Sequence, residues 1–380
     1  MDNPLLGPGL DRLRERRSIK WRLYEPDILP LWVAEMDVVP PEPVRRAVID
    51  AMETGDTGYP WAADYAHGLA TFAQERWDWR PDPRTMSIVP DVMLGIVEVL
   101  KLLTGPGDAV VVNSPVYPPF FDFVGHLGRT VVEAPLSALG RLDLASLDQA
   151  LSQAARLGER AAYLICNPQN PTGAVHSAQE LTDALTLAEH HGVRVVADEI
   201  HAPLVPQGAR FTPVASLEAG ARAISLMSAS KAFNLAGLKA AMAVPGPDAV
   251  ADLARIPEEV SHGASHLGVV AHSAAYLDGG PWLDALLAGL DDNRRLLGTL
   301  LSDHLPGVGY RVPEGTFLAW LDFSALELGE DPAAVLRERA RVALHPGPGF
   351  GQGGAGHARL NFGTSPDILR EAVERIAAVV

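Results

Sequence analysis

From about residue 88 onward, short runs of β-branched and apolar residues alternate with longer stretches whose apolar positions recur every three or four residues. That alternation predicts a largely parallel sheet covered by helices, because parallel strands need crossovers long enough to hold a helix. Val92, Met93, Ile96, Val97, Leu100 and Leu103 make one helical stripe, stopped by the turn Gly105-Pro106-Gly107-Asp108. Strands are predicted over 109–112, 130–133, 162–166, 194–197, 223–227 and 239–244. Between the third and fourth of these, Ser177 with Glu180 three residues on forms a capping box, and His191-Gly192 supplies the stop.

Beyond about residue 285 the texture changes. A long helix runs to Leu301, and strands are predicted over 317–323, 341–344 and 358–362, an α+β pattern. Ser365 as N-cap and Pro366 in the first helical position open a closing helix. The expected organisation is a large α/β domain over 45–285 and a smaller α+β domain built from 1–44 and 286–380. The first 44 residues are rich in proline, have no sheet unit of their own, and are expected to pack on the second domain.

Composition narrows the function. A chain of 380 residues with 47% hydrophobic and 21% charged residues has enough apolar material for a sizeable core. Lys and Arg number 31 against 47 Asp and Glu, a net charge of −16, which repels polyphosphate and argues against nucleic acid as partner. A small molecule is the better expectation. Cys166 is the sole cysteine, so no intrachain disulfide or multi-cysteine metal site can form. The N-terminal stretch carries its charges after a short apolar start, unlike a secretory signal, and no apolar run approaches the roughly 18 residues of a membrane span. A soluble cytoplasmic protein is expected.

Several chemistries lose their signatures. There is no Gly-Lys dipeptide for a P-loop, no His-Glu-x-x-His, no Cys-x-x-Cys and no Gly-x-Ser-x-Gly. Gly349-Phe350-Gly351-Gln352-Gly353-Gly354 matches a dinucleotide pattern but leads into a predicted strand, so the helix N-terminus that would hold a pyrophosphate is missing. It reads as a glycine-rich loop. The twelve histidines are scattered, and His190-His191 suits a helix C-terminus better than a metal, so no metal is predicted.

Four segments after predicted strands share one requirement, a planar, phosphorylated, electron-withdrawing cofactor, and such ligands sit beyond the carboxyl ends of strands in open α/β sheets. In Ser228-Ala229-Ser230-Lys231 the lysine can form a Schiff base with an aldehyde if its pKa is depressed. Lys239 offers a second cation for a phosphate, which the two serine hydroxyls can join. Asp198 either keeps a pyridinium nitrogen protonated or merely caps the next turn. Asn170, in Asn167-Pro168-Gln169-Asn170-Pro171-Thr172-Gly173, either donates its amide to a ring phenolate or belongs to a rigid turn. Tyr117 can stack on a ring or pack in the core.

Together with Leu29-Pro30-Leu31-Trp32-Val33-Ala34-Glu35-Met36-Asp37, Asp198-Glu199-Ile200-His201 and Arg359-Leu360-Asn361-Phe362, this set resembles the fold type I pyridoxal-phosphate enzymes of the class I/II aminotransferase superfamily. Within that superfamily it resembles the cystathionine β-lyase-like, MalY/PatB type of carbon–sulfur lyase, over nearly the whole chain. The resemblance implies pyridoxal 5'-phosphate as cofactor. It makes Lys231 the Schiff-base lysine, Asp198 the pyridine-nitrogen partner, Asn170 the phenolate partner and Tyr117 the stacking aromatic. It also implies a phosphate cup of Ser228, Ser230, Lys239 and the backbone amides of Val92 and Met93. Arg359 takes the place of the arginine that forks onto the substrate α-carboxylate, beside Asn170. Tyr59 matches a tyrosine that reaches the neighbouring subunit's site, which implies a homodimer with shared active sites.

His201 stands near the implied phenolate position, where most aminotransferases of the superfamily carry tyrosine and the lyase branch tends to carry histidine; this favours a lyase. Ala202-Pro203, Glu35 and Val38 depart from the branch, whose usual residues are a small and an acidic residue, an aspartate and a phenylalanine. The implied reaction is α,β-elimination from cystathionine or another cysteine S-conjugate, with Lys231 as base, to a thiol, pyruvate and ammonia. An aminotransferase is the first alternative, since the same electronics serve both outcomes, and a regulatory interaction protein on this scaffold is the second.

Overall fold

Runs of buried residues at Ala109–Val112, Ala161–Cys166, Ile224–Met227 and Ala241–Pro245 dominate the central sheet, since strands covered by helices on both faces carry apolar side chains on both. The computed structural model describes residues 2–380. In chain order the strands are β1 (Leu29–Pro30), β2 (Ser87–Val89), β3 (Ala109–Val112), β4 (Thr130–Glu133), β5 (Ala161–Cys166), β6 (Arg194–Asp198), β7 (Ile224–Met227), β8 (Ala241–Pro245), β9 (Gly309–Tyr310), β10 (Leu318–Asp322), β11 (Val342–Ala343), β12 (His345–Pro346) and β13 (His357–Asn361).

Seven of them form one sheet in the order β2-β8-β7-β6-β5-β3-β4. Neighbours from β4 through β7 pair in parallel, whereas β8 runs antiparallel to both β7 and β2. The predicted mixed α/β architecture with a mostly parallel sheet is therefore present. The helix Ala178–His190 carries the predicted capping box, Ser177 and Glu180 each bonding the other's backbone N–H.

Three elements differ from the sequence pattern. The strand expected over 239–244 begins at Ala241, so Lys239 lies ahead of it. The strand expected over 341–344 shrinks to Val342–Ala343, because Arg341 adopts a left-handed φ of 55° that breaks the extended run. The long helix spans Gly280–His304, starting earlier because Pro281 is accommodated in its first turn.

Two features position the site. The helix Val92–Leu103 is capped by Asp91, whose side chain accepts from Leu94 N at 2.8 Å. It lies so close to the sheet at Gly95 that a Cβ there would sit 2.7 Å from Leu226 Cδ1 and from Val89 Cγ2. The second feature is the segment 29–38, which is laid against the C-terminal part of the chain. β1 pairs in parallel with β11, Asn361 N donates to Leu31 O at 2.9 Å, and Asp37 N donates to Gly363 O at 2.8 Å. The Asn361 amide donates to the carbonyls of Val33 and Glu35 at 2.8 and 2.7 Å, and Asn234 bonds both N–H and C=O of Met36. A buried Lys20–Asp37 ion pair at 2.8 Å closes the segment. The antiparallel sheet β12-β13-β10-β9 sets Trp320 and His345 on either side of Arg359 in register.

Among the described residues no helix is long and apolar enough to cross a membrane, and no three His, Cys, Asp or Glu side chains come close enough to hold a metal ion.

Candidate active site

The carboxyl ends of the parallel strands open onto a cavity of about 270 Å³. Cys166 ends β5 and Asp198 ends β6; Tyr117 follows β3, and Ser230 and Lys231 follow β7. All five line the cavity together with Asn170, His201, Lys239, Val92 and Met93. Larger surface hollows of about 640 and 890 Å³, around Trp77 and Arg210, contain none of the predicted residues.

Lys231 Nζ donates to the carbonyl of Ala34 at 2.9 Å. Burial, reinforced by the nearby Arg359 charge, lowers the amine to about 8, which leaves a sizeable neutral fraction near neutral pH. Asp198 accepts from Ile200 N at 3.1 Å and is pushed up to about 6 by burial, with Lys231 drawing it back down. Its carboxylate therefore lacks a strong partner, as a residue awaiting a cationic ring nitrogen would. Burial, then the charges of Lys231 and Arg359, hold His201 well below the ordinary histidine range. The ring is neutral, and its Nδ1 is buried without a hydrogen bond.

Asn170 Oδ1 accepts from Arg359 Nη1 at 2.9 Å. Arg359 Nη2 donates to Trp32 O at 3.2 Å, its Nε has no partner, and its guanidinium lies 5.2 Å from the centre of the Phe350 ring. Burial lowers it to about 10, so it remains a cation at neutral pH. Tyr117 is raised by burial and stays a phenol.

Elsewhere in the lining a helix N-terminus and a lysine come together, groups that could hold an anion. The amides of Val92 and Met93 begin the helix Val92–Leu103, where backbone N–H groups lack intrahelical partners. Lys239 Nζ lies 2.8 Å from Asp91 Oδ2 beside them.

Three predicted residues, Ser228, Tyr59 and Arg359, lie outside the cavity lining. Ser228 sits beneath it, its Oγ donating to Ala240 O at 2.8 Å and accepting from Ser230 N at 3.2 Å. Tyr59 is 82% exposed, with its ring 5.3 Å from that of His262, and is not among the residues lining its own chain's cavity. Arg359 stands behind Asn170 and not on the lining itself.

Other lining residues escaped the sequence reading. Pro119, Phe123 and Ile200 are apolar and offer no reactive group, and Cys166 is buried with its thiol raised, so it is no thiolate at neutral pH. The carbonyls of Ala34 and Trp32, which hold Lys231 and Arg359, leave no trace in side-chain chemistry. Asp91 alone had a signal, an N-cap residue ahead of an apolar helix.

The unsatisfied His201 and Arg359 nitrogens, the weakly partnered Asp198, the depressed lysine and the helix N-terminus at Val92 and Met93 fit a flat, phosphorylated heteroaromatic aldehyde.

Residues 31–376 match the family model for aminotransferase class I and II. A Mycobacterium tuberculosis protein named "Putative cystathionine beta-lyase" is 55% identical over 99% of this chain and 98% of its own length. Cystathionine beta-lyase PatB of Bacillus subtilis is 35% identical over 98% of this chain and its full length. A crystal structure from Corynebacterium diphtheriae, described as a "putative plp-dependent beta-cystathionase", superposes with a TM-score of 0.91 at 33% identity, covering 98% of both chains. With the family model spanning most of the chain and these relatives aligned nearly end to end, the protein belongs to the class I and II aminotransferase family.

Proposed function

We propose that the chain is a pyridoxal 5'-phosphate-dependent carbon–sulfur β-lyase acting on cystathionine or another cysteine S-conjugate, giving a thiol, pyruvate and ammonia. The observation that carries the reading is the convergence on one cavity of the depressed Lys231 amine and buried Asp198, with the Arg359–Asn170 pair at its wall. The names of relatives aligned over nearly the entire chain support the choice of lyase.

When bound, the cofactor supplies an electron sink for charge developing at the substrate's Cα. Lys231 would hold the cofactor aldehyde and would be the base that takes the Cα proton at Nζ; a pKa of about 8 suits a base working near neutrality. Asp198 would hold a proton at the ring nitrogen, Asn170 Nδ2 and neutral His201 would meet the ring's phenolate oxygen, and Tyr117 would stack on the ring. Arg359 orients the substrate through its α-carboxylate, and its fork geometry is one a lysine cannot copy. Lys239, Ser230, Ser228 and the amides of Val92 and Met93 serve the phosphate, Ser228 by exchanging its bond to Ala240 O.

The reading includes a homodimer in the cytoplasm, with a small domain of 1–44 and 286–380 on a large domain of 45–285. Exposure of Tyr59 at 82% and Trp61 at 70% supports a partner surface there. The one cysteine, free and buried, suits a reducing compartment.

The test is pyruvate release from L-cystathionine and other cysteine S-conjugates by holoenzyme with no 2-oxo acid added. Many turnovers support β-elimination. A single turnover, restored only by a 2-oxo acid, makes the protein an aminotransferase instead.

A further inference from the structure

The lining around the helix N-terminus at Val92 and Met93 contains a carboxylate. Asp91 uses Oδ1 to cap Leu94 N at 2.8 Å, and its Oδ2 holds Lys239 Nζ at 2.8 Å. Both residues line the cavity beside Val92, Met93 and Ser230. Lys239 is the cation here, with a side chain 56% exposed, while Asp91 is 22% exposed and the less screened of the two. A phosphate drawn to the amides of Val92 and Met93 therefore meets Lys239 already neutralised and a negative charge one residue away on the chain.

We propose that Asp91 is an internal competitor for the cofactor's phosphate: it occupies Lys239 when the cup is empty and opposes the phosphate when the cup is filled. The proposal rests on the cofactor assignment above and concerns how tightly that cofactor is held. Filling the cup exchanges Lys239's partner from the Asp91 carboxylate to the phosphate, while Oδ1 keeps capping the helix. Binding is weaker, and exchange faster, than the same cup would give without the charge. The ordinary expectation for a residue in a cofactor site is the reverse, that replacing it loosens the ligand.

The capping and electrostatic roles of Asp91 separate cleanly. Asn caps a helix as well as Asp does but carries no charge, and Ser offers a second uncharged cap. The experiment measures dissociation constants of pyridoxal 5'-phosphate for the full-length wild type, Asp91→Asn and Asp91→Ser, by quenching of tryptophan fluorescence after resolution of the cofactor. Pyridoxal, which has the ring and aldehyde but no phosphate, is the companion probe. Asp91→Asn is expected to bind pyridoxal 5'-phosphate on the order of tenfold more tightly and to release it more slowly, with the difference shrinking at high salt. Pyridoxal affinity is expected to stay the same.

Equal or weaker binding of pyridoxal 5'-phosphate by both variants overturns the proposal and makes Asp91 a helix cap alone. Equal tightening of pyridoxal also overturns it, because the effect then has nothing to do with the phosphate. A wild type that binds pyridoxal 5'-phosphate normally, with variants unchanged, sinks only this inference. A wild type that does not bind it at all sinks the cofactor assignment and this inference together.

Discussion

Arg359 and Asn170, 189 positions apart in the chain, meet in the interior with Nη1 donating to Oδ1 at 2.9 Å. An amide has one acceptor end and one donor end, so committing its oxygen to the guanidinium turns the two Nδ2 hydrogens the other way. One side chain thus couples the arginine assigned to the substrate with the ring assigned to the cofactor.

Replacing Arg359 by Lys removes the fork while keeping a charge. Catalytic efficiency toward amino-acid substrates is expected to fall about a hundredfold, mainly through KM, with cofactor affinity little changed. Steady-state kinetics beside a cofactor titration separate the two, and an equal loss in both would contradict the carboxylate role.

Lys231→Ala is expected to lose the borohydride-reducible chromophore and to lower turnover by about a thousandfold or more. The folded state should survive, since the amine is buried with its charge disfavoured and one hydrogen bond, to Ala34, is lost. Absorbance spectra with and without borohydride, together with circular dichroism, test both halves.

Glu199 gives a pH prediction for the cofactor-free protein. Its Oε1 accepts from Val214 N at 2.8 Å, Oε2 has no partner, and burial pushes the carboxyl up to about 8 from an unfolded value of 4.5. A carboxyl raised on folding contributes stability that is complete below its unfolded value and is lost as pH rises through its folded one. Asp198, raised to about 6, acts in the same direction lower down. His176, His272 and His345, each lowered to about 4 from 6.5, act oppositely and are spent by pH 6.5. Between pH 6.5 and 8 the melting temperature is therefore expected to fall, and Glu199→Gln to flatten that fall. A thermal melt series across this range in both proteins checks it.

At Gly95 there is no room for a side chain, because a Cβ would meet both Leu226 and Val89 at 2.7 Å. Gly95→Val is expected to cost about 2 kcal/mol or more by overpacking, measurable by urea unfolding. It should also weaken cofactor binding, since the displaced helix carries the Val92 and Met93 amides.

Trp61, 70% exposed near Tyr59, is expected to be covered by a second copy of the chain. Trp61→Glu would place a charge in that interface; sedimentation should then report the monomer mass and assays a loss of activity. A variant that remains a dimer would count against this surface.

The sheet was legible wherever burial on both faces wrote an unbroken apolar run, as at Ala109–Val112 and Ala161–Cys166. Strand direction was not: β8 is as apolar as β7, and nothing in its residues says that it runs the other way. At residues 341–344 apolar content suggested a strand, but a left-handed Arg341 shortened it to two residues, a backbone choice invisible in a pattern of side chains. Within the site, Lys231, Asp198 and Asn170 could be picked out because each follows a strand, and the structure brings them to one cavity. The carbonyls of Trp32 and Ala34 could not, since every residue has one and only the fold decides which are aimed inward.

The segment 29–38 has a consequence for how the protein comes into being. It leaves the ribosome early, yet its hydrogen-bonding partners are Asn234, Ala343, Asn361 and Gly363. Until those residues are synthesised, the carbonyls of Trp32 and Ala34 cannot be held in position, and the wall of the cavity does not exist. Cofactor loading thus waits for the residues up to Gly363, and a product halted before residue 359 would carry Lys231 without a completed site around it.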